Sequence, residues 1–118
     1  MAPDSSNQQT QSLDGFYTAQ CSGPNGDGSA VAVFREGRIL GGDRCGFVFS
    51  GSYEVQGASL KGRLTVKQFD PAAPNIIGIV GNDFELLIEG TVNGDIINGA
   101  GKLTDDPTEI SIKLTKKR

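Results

Sequence analysis

Apolar and polar residues alternate along most of this chain, with the period of two that marks a strand buried on one face. The clearest case runs from Ser59 to Phe69, where Leu60, Leu64 and Val66 alternate with basic residues. The segments 84–92 and 108–115 show the same alternation, and no segment of ten or more residues has the 3.6-residue apolar period of a helix. The pattern therefore predicts an all-β chain.

Short turn signals divide this pattern into about eight strands. We place them at residues 13–21, 29–35, 38–42, 45–55, 59–69, 84–92, 95–103 and 108–115. The second strand is apolar on both faces, since Ala32 and Phe34 lie on one face and Val31 and Val33 on the other. Such a strand is covered on two sides, by the interior and by a partner or a loop. The sequence leaves open which face is interior.

Three hairpins share one frame, in which a glycine turn is followed five residues later by a second glycine. The turns are expected at Glu36-Gly37, Gln56-Gly57 and Asn93-Gly94, because glycine adopts the positive φ that tight hairpins need. A glycine inside a strand marks a bulge or a bend. Repeated bends in an antiparallel meander predict a single-domain, up-and-down, eight-stranded closed barrel.

Composition narrows the class of protein. The 118 residues include 17 glycines and carry a net charge of −3, which disfavours binding to nucleic acid phosphates. We expect residues 1–12 to be a disordered polar tail without the apolar core of a signal peptide, residues 13–115 to be the barrel domain, and residues 116–118 to be a basic end. No apolar run is long enough to span a membrane. We expect a cytoplasmic protein in which Cys21 and Cys45 are free thiols.

No catalytic constellation appears in the sequence. Histidine, the commonest general base and metal ligand, is absent, so we expect neither an enzyme nor a cofactor. Asp43 follows two glycines, and we interpret it as a residue that accepts backbone hydrogen bonds in a turn. The adjacent Asp105 and Asp106 are interpreted as a surface turn.

Two kinds of binding surface are candidates. Five phenylalanines could line a cavity for an apolar ligand: Phe16, Phe34, Phe47, Phe49 and Phe84. An eight-stranded barrel is just wide enough either to be filled by side chains or to hold one small ligand, and the sequence does not decide between them. The short apolar segment with Ile76, Ile77, Ile79 and Val80 is a candidate partner or dimer surface.

Several motifs resemble one known family. Gly15-Phe16-Tyr17 is followed by the run from Glu36 to Asp43, then by Gly51-Ser52-Tyr53 and by Asp83-Phe84-Glu85-Leu86. In this order the chain resembles the GrlR family, small proteins named after a negative regulator of bacterial type III secretion. The signature positions are Gly37, Gly41, Gly42 and Asp43, and their role is expected to be structural.

The resemblance implies a lipocalin-like eight-stranded barrel that is cytoplasmic, commonly dimeric, and active by binding a regulatory protein. The regulator that names the family carries an acidic run at a hairpin turn used for partner binding. The corresponding turn here holds a single carboxylate, so Glu54 and Gln56 are the candidate partner-binding residues. The resemblance thus favours a non-catalytic regulatory protein-interaction module, and the alternative is a carrier or sensor of a small apolar ligand.

Overall fold

The computed structural model describes residues 12–24, 26–43, 47–68, 83–104 and 107–117. All regular structure in these ranges is β-strand, in eight consecutive elements. They are β1 Gly15–Gly23, β2 Gly26–Arg35, β3 Arg38–Gly42, β4 Phe47–Gln56, β5 Ser59–Gln68, β6 Asp83–Asn93, β7 Ile96–Leu103 and β8 Glu109–Lys117. Each strand pairs antiparallel with its neighbours in the chain, and β1 pairs with β8 to close the sheet. The predicted all-β, eight-stranded, up-and-down barrel is confirmed.

Three two-residue turns join strands at one end of the barrel, which we call the closed end. In the first turn, Glu36 and Gly37 both have positive φ, at 50° and 82°, as a type I′ turn requires. The other two turns are Gly57-Ala58 and Gly94-Asp95, one residue later than the sequence predicted. In each of them glycine alone has positive φ, at 63° and 62°. A turn that needs positive φ only at its first central residue places its glycine there.

The connection between β1 and β2 also differs from the prediction. Residues 23–28 read as a loop, but β1 extends to Gly23 and β2 begins at Gly26, and these two glycines pair. Gly26 has a φ of 132°, which glycine tolerates without steric strain, so the strands continue almost to the tip.

The closed-end turns are tied to strands beyond their own hairpins. The carbonyl oxygen of Gly37 accepts a hydrogen bond from the Tyr53 amide at 2.9 Å, and that of Ala58 accepts one from the Val92 amide at 2.8 Å. The carbonyl oxygen of Asp95 accepts one from the Lys116 amide at 2.8 Å. Each turn therefore fixes the strand that follows its hairpin, and the three ties hold this end of the sheet together.

The interior is apolar, and no charged or polar residue of the described ranges is fully buried. Its core contains one or more side chains from every strand: Leu13, Tyr17, Ala19, Ala32, Phe34, Ile39, Phe47, Leu60, Leu64, Val66, Leu86, Ile88, Val92, Ile97, Leu103, Ile110 and Leu114. On β2, Ala32 and Phe34 point inward, which settles the orientation that the sequence left open. Val31 and Val33 consequently point outward.

Candidate functional site

The closed end of the barrel is plugged by aromatic side chains. The ring of Phe34 lies 4.6 Å from that of Tyr17 and 5.1 Å from that of Tyr53, between centroids. The Tyr17 hydroxyl donates a buried hydrogen bond to the carbonyl oxygen of Leu13 at 2.8 Å, which ties Leu13 to this end. Burial of Leu13 then completes the plug.

A cavity of about 290 Å³ lies inside the barrel. Phe34 contributes to its wall together with Phe47, Phe49 and Phe84. The rings of Phe47 and Phe84 meet edge to face, with centroids 6.5 Å apart. Small residues on β1 and β2, namely Ala19, Ala30 and Ala32, face these rings and leave the space between them unfilled. The barrel is therefore partly hollow.

Phe16 does not line this cavity, contrary to the expectation from the sequence. Its side chain is 46% exposed, and it lies on β1 next to the inward-pointing Tyr17. Successive residues of a strand point to opposite faces, so Tyr17 inside places Phe16 outside. The other four phenylalanines of the predicted set do lie on the cavity wall.

Two polar residues mark the open end of the cavity, which we call the mouth. The Asp43 carboxylate accepts a hydrogen bond from the Phe47 amide at 3.1 Å, and the Asp43 amide donates to the Phe47 carbonyl at 3.0 Å. Asp43 is thus a turn residue, as its position after two glycines indicated. Cys21 is a free thiol whose pKa is raised by burial and, secondarily, by the negative charge of Asp43. Both effects keep the thiol protonated and weakly nucleophilic.

The signature glycines have structural roles. Gly37 forms the type I′ turn, and Gly41 lies where a Cβ atom would come 2.3 Å from the Val31 carbonyl oxygen and 2.5 Å from the Phe49 ring. A Cβ atom on Gly42 would lie 3.0 Å from the Phe47 carbonyl oxygen. These glycines permit close approach of β3 to its neighbours and of the Phe49 ring to the backbone.

A contiguous apolar surface lies on the outside of β1 to β4. We call it the outer apolar wall and define it by Phe16, Val31, Val33, Leu40 and Val48, which are between 41% and 64% exposed. Phe16 pairs with Val33 across β1 and β2, and Val33 pairs with Leu40 across β2 and β3. These three side chains form a row across the sheet, and Val31 and Val48 flank Gly42 in the next row.

The outer face of the opposite side carries charge instead. Lys61 pairs with Glu89 and Lys67 with Asp83 across β5 and β6. Arg63 lies 3.8 Å from Glu85, measured between side-chain nitrogen and oxygen. One side of the barrel thus has the charged exterior of an ordinary solvated sheet, and the other has a valine-rich face.

The remaining candidate residues are placed as follows. Glu54 and Gln56 are exposed on the outward face of β4 near the closed end, away from the cavity. Ile76, Ile77, Ile79 and Val80 lie outside the described residues. Sequence reasoning missed the outer apolar wall as a unit, although the two apolar faces of β2 indicated a covering partner.

Neither a metal site nor a membrane-spanning helix is found in the described ranges. No group of three or more cysteine, aspartate or glutamate residues there could hold a metal ion. Likewise, no helix in those ranges is long and apolar enough to cross a membrane. Comparison of the sequence with protein-family models and with curated proteins found no match.

Proposed function

We propose that this chain is a non-catalytic protein-interaction module that docks onto a protein through its outer apolar wall. The observation that supports the proposal is the row of Phe16, Val33 and Leu40, all more than 40% exposed. Scattered exposed apolar residues are normal on a monomer, but a contiguous patch of several such residues is typical of an interaction surface. The contrast with the charged outer face of β5 and β6 strengthens this interpretation.

The resemblance to the GrlR family indicates the kind of role. In that family a small barrel acts as a regulator by binding another protein, so we propose a regulatory partner in the cytoplasm. The absence of histidine from the sequence and the protonated state of the Cys21 thiol favour binding over catalysis. A fold supports many functions, so the partner has to be identified through the surface itself.

The proposal is tested by affinity capture with matched surface variants. The bait protein is incubated with an extract of the cells from which the gene comes, and bound proteins are quantified by mass spectrometry. Leu40→Ser removes the most exposed side chain of the outer apolar wall, while Leu87→Ser removes an exposed leucine on β6. We expect Leu40→Ser to reduce recovery of a bound protein about ten-fold, as for a residue central to an interface.

Leu87→Ser should leave that recovery unchanged, because Leu87 lies on the charged side. Equal recovery with both variants would contradict docking through the outer apolar wall.

A second function, carriage or sensing of a small apolar ligand, is favoured by the cavity. Its volume of about 290 Å³ lies near the lower end of ligand pockets and exceeds the roughly 150 Å³ that suffices for benzene. Native mass spectrometry of protein purified from cells tests this function, because a bound ligand adds mass that is lost on denaturation. Ala30→Phe, which fills the cavity, should abolish the added mass.

A folded wild-type protein that carries no added mass, and that shows no binding of octan-1-ol by calorimetry, would rule this function out.

A further inference from the structure

The charged side chains that line the cavity, among the described residues, are both acidic. They are Asp27 and Asp43, and both lie at the mouth. The Asp43 side chain is held at the rim, since its Oδ1 atom accepts a hydrogen bond from the Phe47 amide at 3.1 Å. Its negative charge acts on the cavity wall, because it contributes to the raised pKa of the Cys21 thiol. A ligand that enters the cavity therefore passes through a region of negative potential.

Aromatic side chains begin the cavity wall next to Asp43. The hydrogen bonds between Asp43 and Phe47 place this phenylalanine at the rim. Its ring meets that of Phe84, with centroids 6.5 Å apart, and Phe49 contributes a third ring to the wall. The face of an aromatic ring carries partial negative charge and attracts cations. The part of the cavity nearest the mouth thus combines two kinds of group that favour a positive charge.

Deeper in the barrel the cavity is suited to apolar groups, and it ends at the Phe34 ring. Four residues of β1, at about 3.3 Å each, separate Cys21 near the mouth from Tyr17 in the plug by roughly 13 Å. The volume of about 290 Å³ is nearly twice the roughly 150 Å³ that holds benzene. On that scale the cavity admits about a dozen non-hydrogen atoms, which fits a chain of about eight carbon atoms with a small head group.

We propose that the cavity binds a cationic amphiphile, an alkylamine whose chain fills the apolar interior and whose ammonium group pairs with Asp43 at the mouth. This inference rests on the second proposed function, carriage or sensing of a small ligand, and names the class of ligand. A fatty acid of the same length is disfavoured, because its carboxylate would lie beside two acidic side chains. A neutral alcohol fills the same space without the charge-assisted hydrogen bond to Asp43.

Calorimetry with three ligands of equal chain length tests the inference on the full chain. The probes are octylamine, octan-1-ol and octanoate, each below the concentration at which it forms micelles. All are used at neutral pH, where an alkylamine is protonated. We expect octylamine to bind about ten-fold more tightly than octan-1-ol, the usual effect of a hydrogen bond between charged groups. Octanoate should bind more weakly than either.

Removal of the Asp43 charge tests the position of the head group. Asp43→Asn keeps an oxygen that can accept the Phe47 amide, and it should weaken octylamine binding about ten-fold, so that octylamine and octan-1-ol bind alike. Glu89→Gln removes a carboxylate from the outer face and should leave the affinity for octylamine unchanged. Ala30→Phe should abolish binding of all three ligands, since Ala30 lines the cavity.

The outcomes separate this inference from ligand carriage itself. Equal affinity of the wild type for octylamine and octan-1-ol refutes the cationic head group and retains an apolar ligand site. A preference for octylamine that survives in Asp43→Asn, or octylamine binding that persists in Ala30→Phe, also overturns the proposed arrangement. A folded wild-type protein that binds none of the three ligands refutes both the inference and carriage.

Discussion

Gly51 shows how one missing side chain permits two strands to lie together. It sits in β4, and a Cβ atom at this position would come 1.8 Å from the carbonyl oxygen of Arg63 on β5. That distance is far inside van der Waals contact, and the clashing atom is backbone, which cannot move aside as a flexible side chain can. Glycine at position 51 is therefore a steric requirement.

Gly51→Ala should destabilise the fold by about 2–4 kcal/mol, because β4 and β5 must separate to admit the methyl group. Urea denaturation followed by circular dichroism measures the change in the free energy of unfolding. Gly57→Asn is the control, because nothing lies near that position and asparagine tolerates positive φ. Equal stability of Gly51→Ala and wild type would contradict the close approach.

The Cys21 thiol reports the electrostatics of the mouth. Burial raises its pKa above the ordinary value of 9.0, and the Asp43 charge raises it further. The folded chain therefore favours the protonated thiol. This contribution to stability is complete below the pKa of the unfolded thiol and is lost as pH rises above it towards the folded pKa.

Alkylation of Cys21 by iodoacetamide should be slow at neutral pH and should accelerate only at a pH above the pKa of an unfolded thiol. Asp43→Asn should move this acceleration to lower pH, because it removes one of the two causes of the raised pKa. Peptide mass spectrometry measures the rate at Cys21 alone, and Glu89→Gln, on the outer face, is the charge-matched control. An unchanged profile in Asp43→Asn would show that the Asp43 charge does not reach the thiol.

At the scale of elements, the two ends of the barrel are built differently. Two-residue turns at the closed end are each hydrogen-bonded to the next strand along the sheet. At the mouth, a side chain takes part as well, because the Asp43 carboxylate accepts a hydrogen bond from the Phe47 amide in addition to the backbone hydrogen bond between these two residues. The start of β4, which carries Phe47 into the cavity wall, is thus positioned by Asp43.

Asp43→Ala should cost about 1 kcal/mol of stability, the usual net value of a hydrogen bond whose donor can find water. Hydrogen exchange of the Phe47 amide, measured by NMR, should accelerate more than exchange of the Tyr53 amide, which is bonded to Gly37 and serves as the internal control. Asp43→Asn should have a smaller effect, because the amide oxygen can still accept. Unchanged exchange at Phe47 would contradict the role of Asp43 as a turn residue.

At the scale of the whole molecule, side chains fill the closed end of the barrel, and a cavity lies between that end and the mouth. Ile97 lies in the packed part and is 3% exposed, whereas Ile112 lines the cavity and is only partly buried. A residue that packs against neighbours on all sides contributes more stability than one that borders empty space, since the latter lacks contacts on one side.

Ile97→Ala should therefore destabilise the protein by about 3–4 kcal/mol and Ile112→Ala by about 1–2 kcal/mol. Both variants remove the same atoms, so the difference measures packing and not side-chain chemistry. Urea denaturation gives both values. Equal losses of stability in the two variants would indicate that the residues around the cavity are as tightly packed as those at the closed end.

Much of the fold could be predicted from local pattern. Alternation placed the eight strands to within a few residues, because one strand face must be buried wherever the sheet closes. The turns at Gly57 and Gly94 were predicted one residue early. A glycine in a turn motif does not by itself show whether it is the first or the second of the two central residues. The glycines of residues 23–28 fit a loop and a strand equally well, so only pairing with β1 decided between them.

The sequence by itself determined the strand order, the antiparallel meander and the apolar character of the interior, because these follow from alternation and short turns. Only the tertiary structure decided which face of β2 is exterior. Both faces are apolar, and inward placement of Ala32 is set by its pairing with Tyr17 and Gly41. The outer apolar wall and the cavity follow from that choice. Both depend on side chains from strands far apart in the sequence, whose combined volume no local pattern specifies.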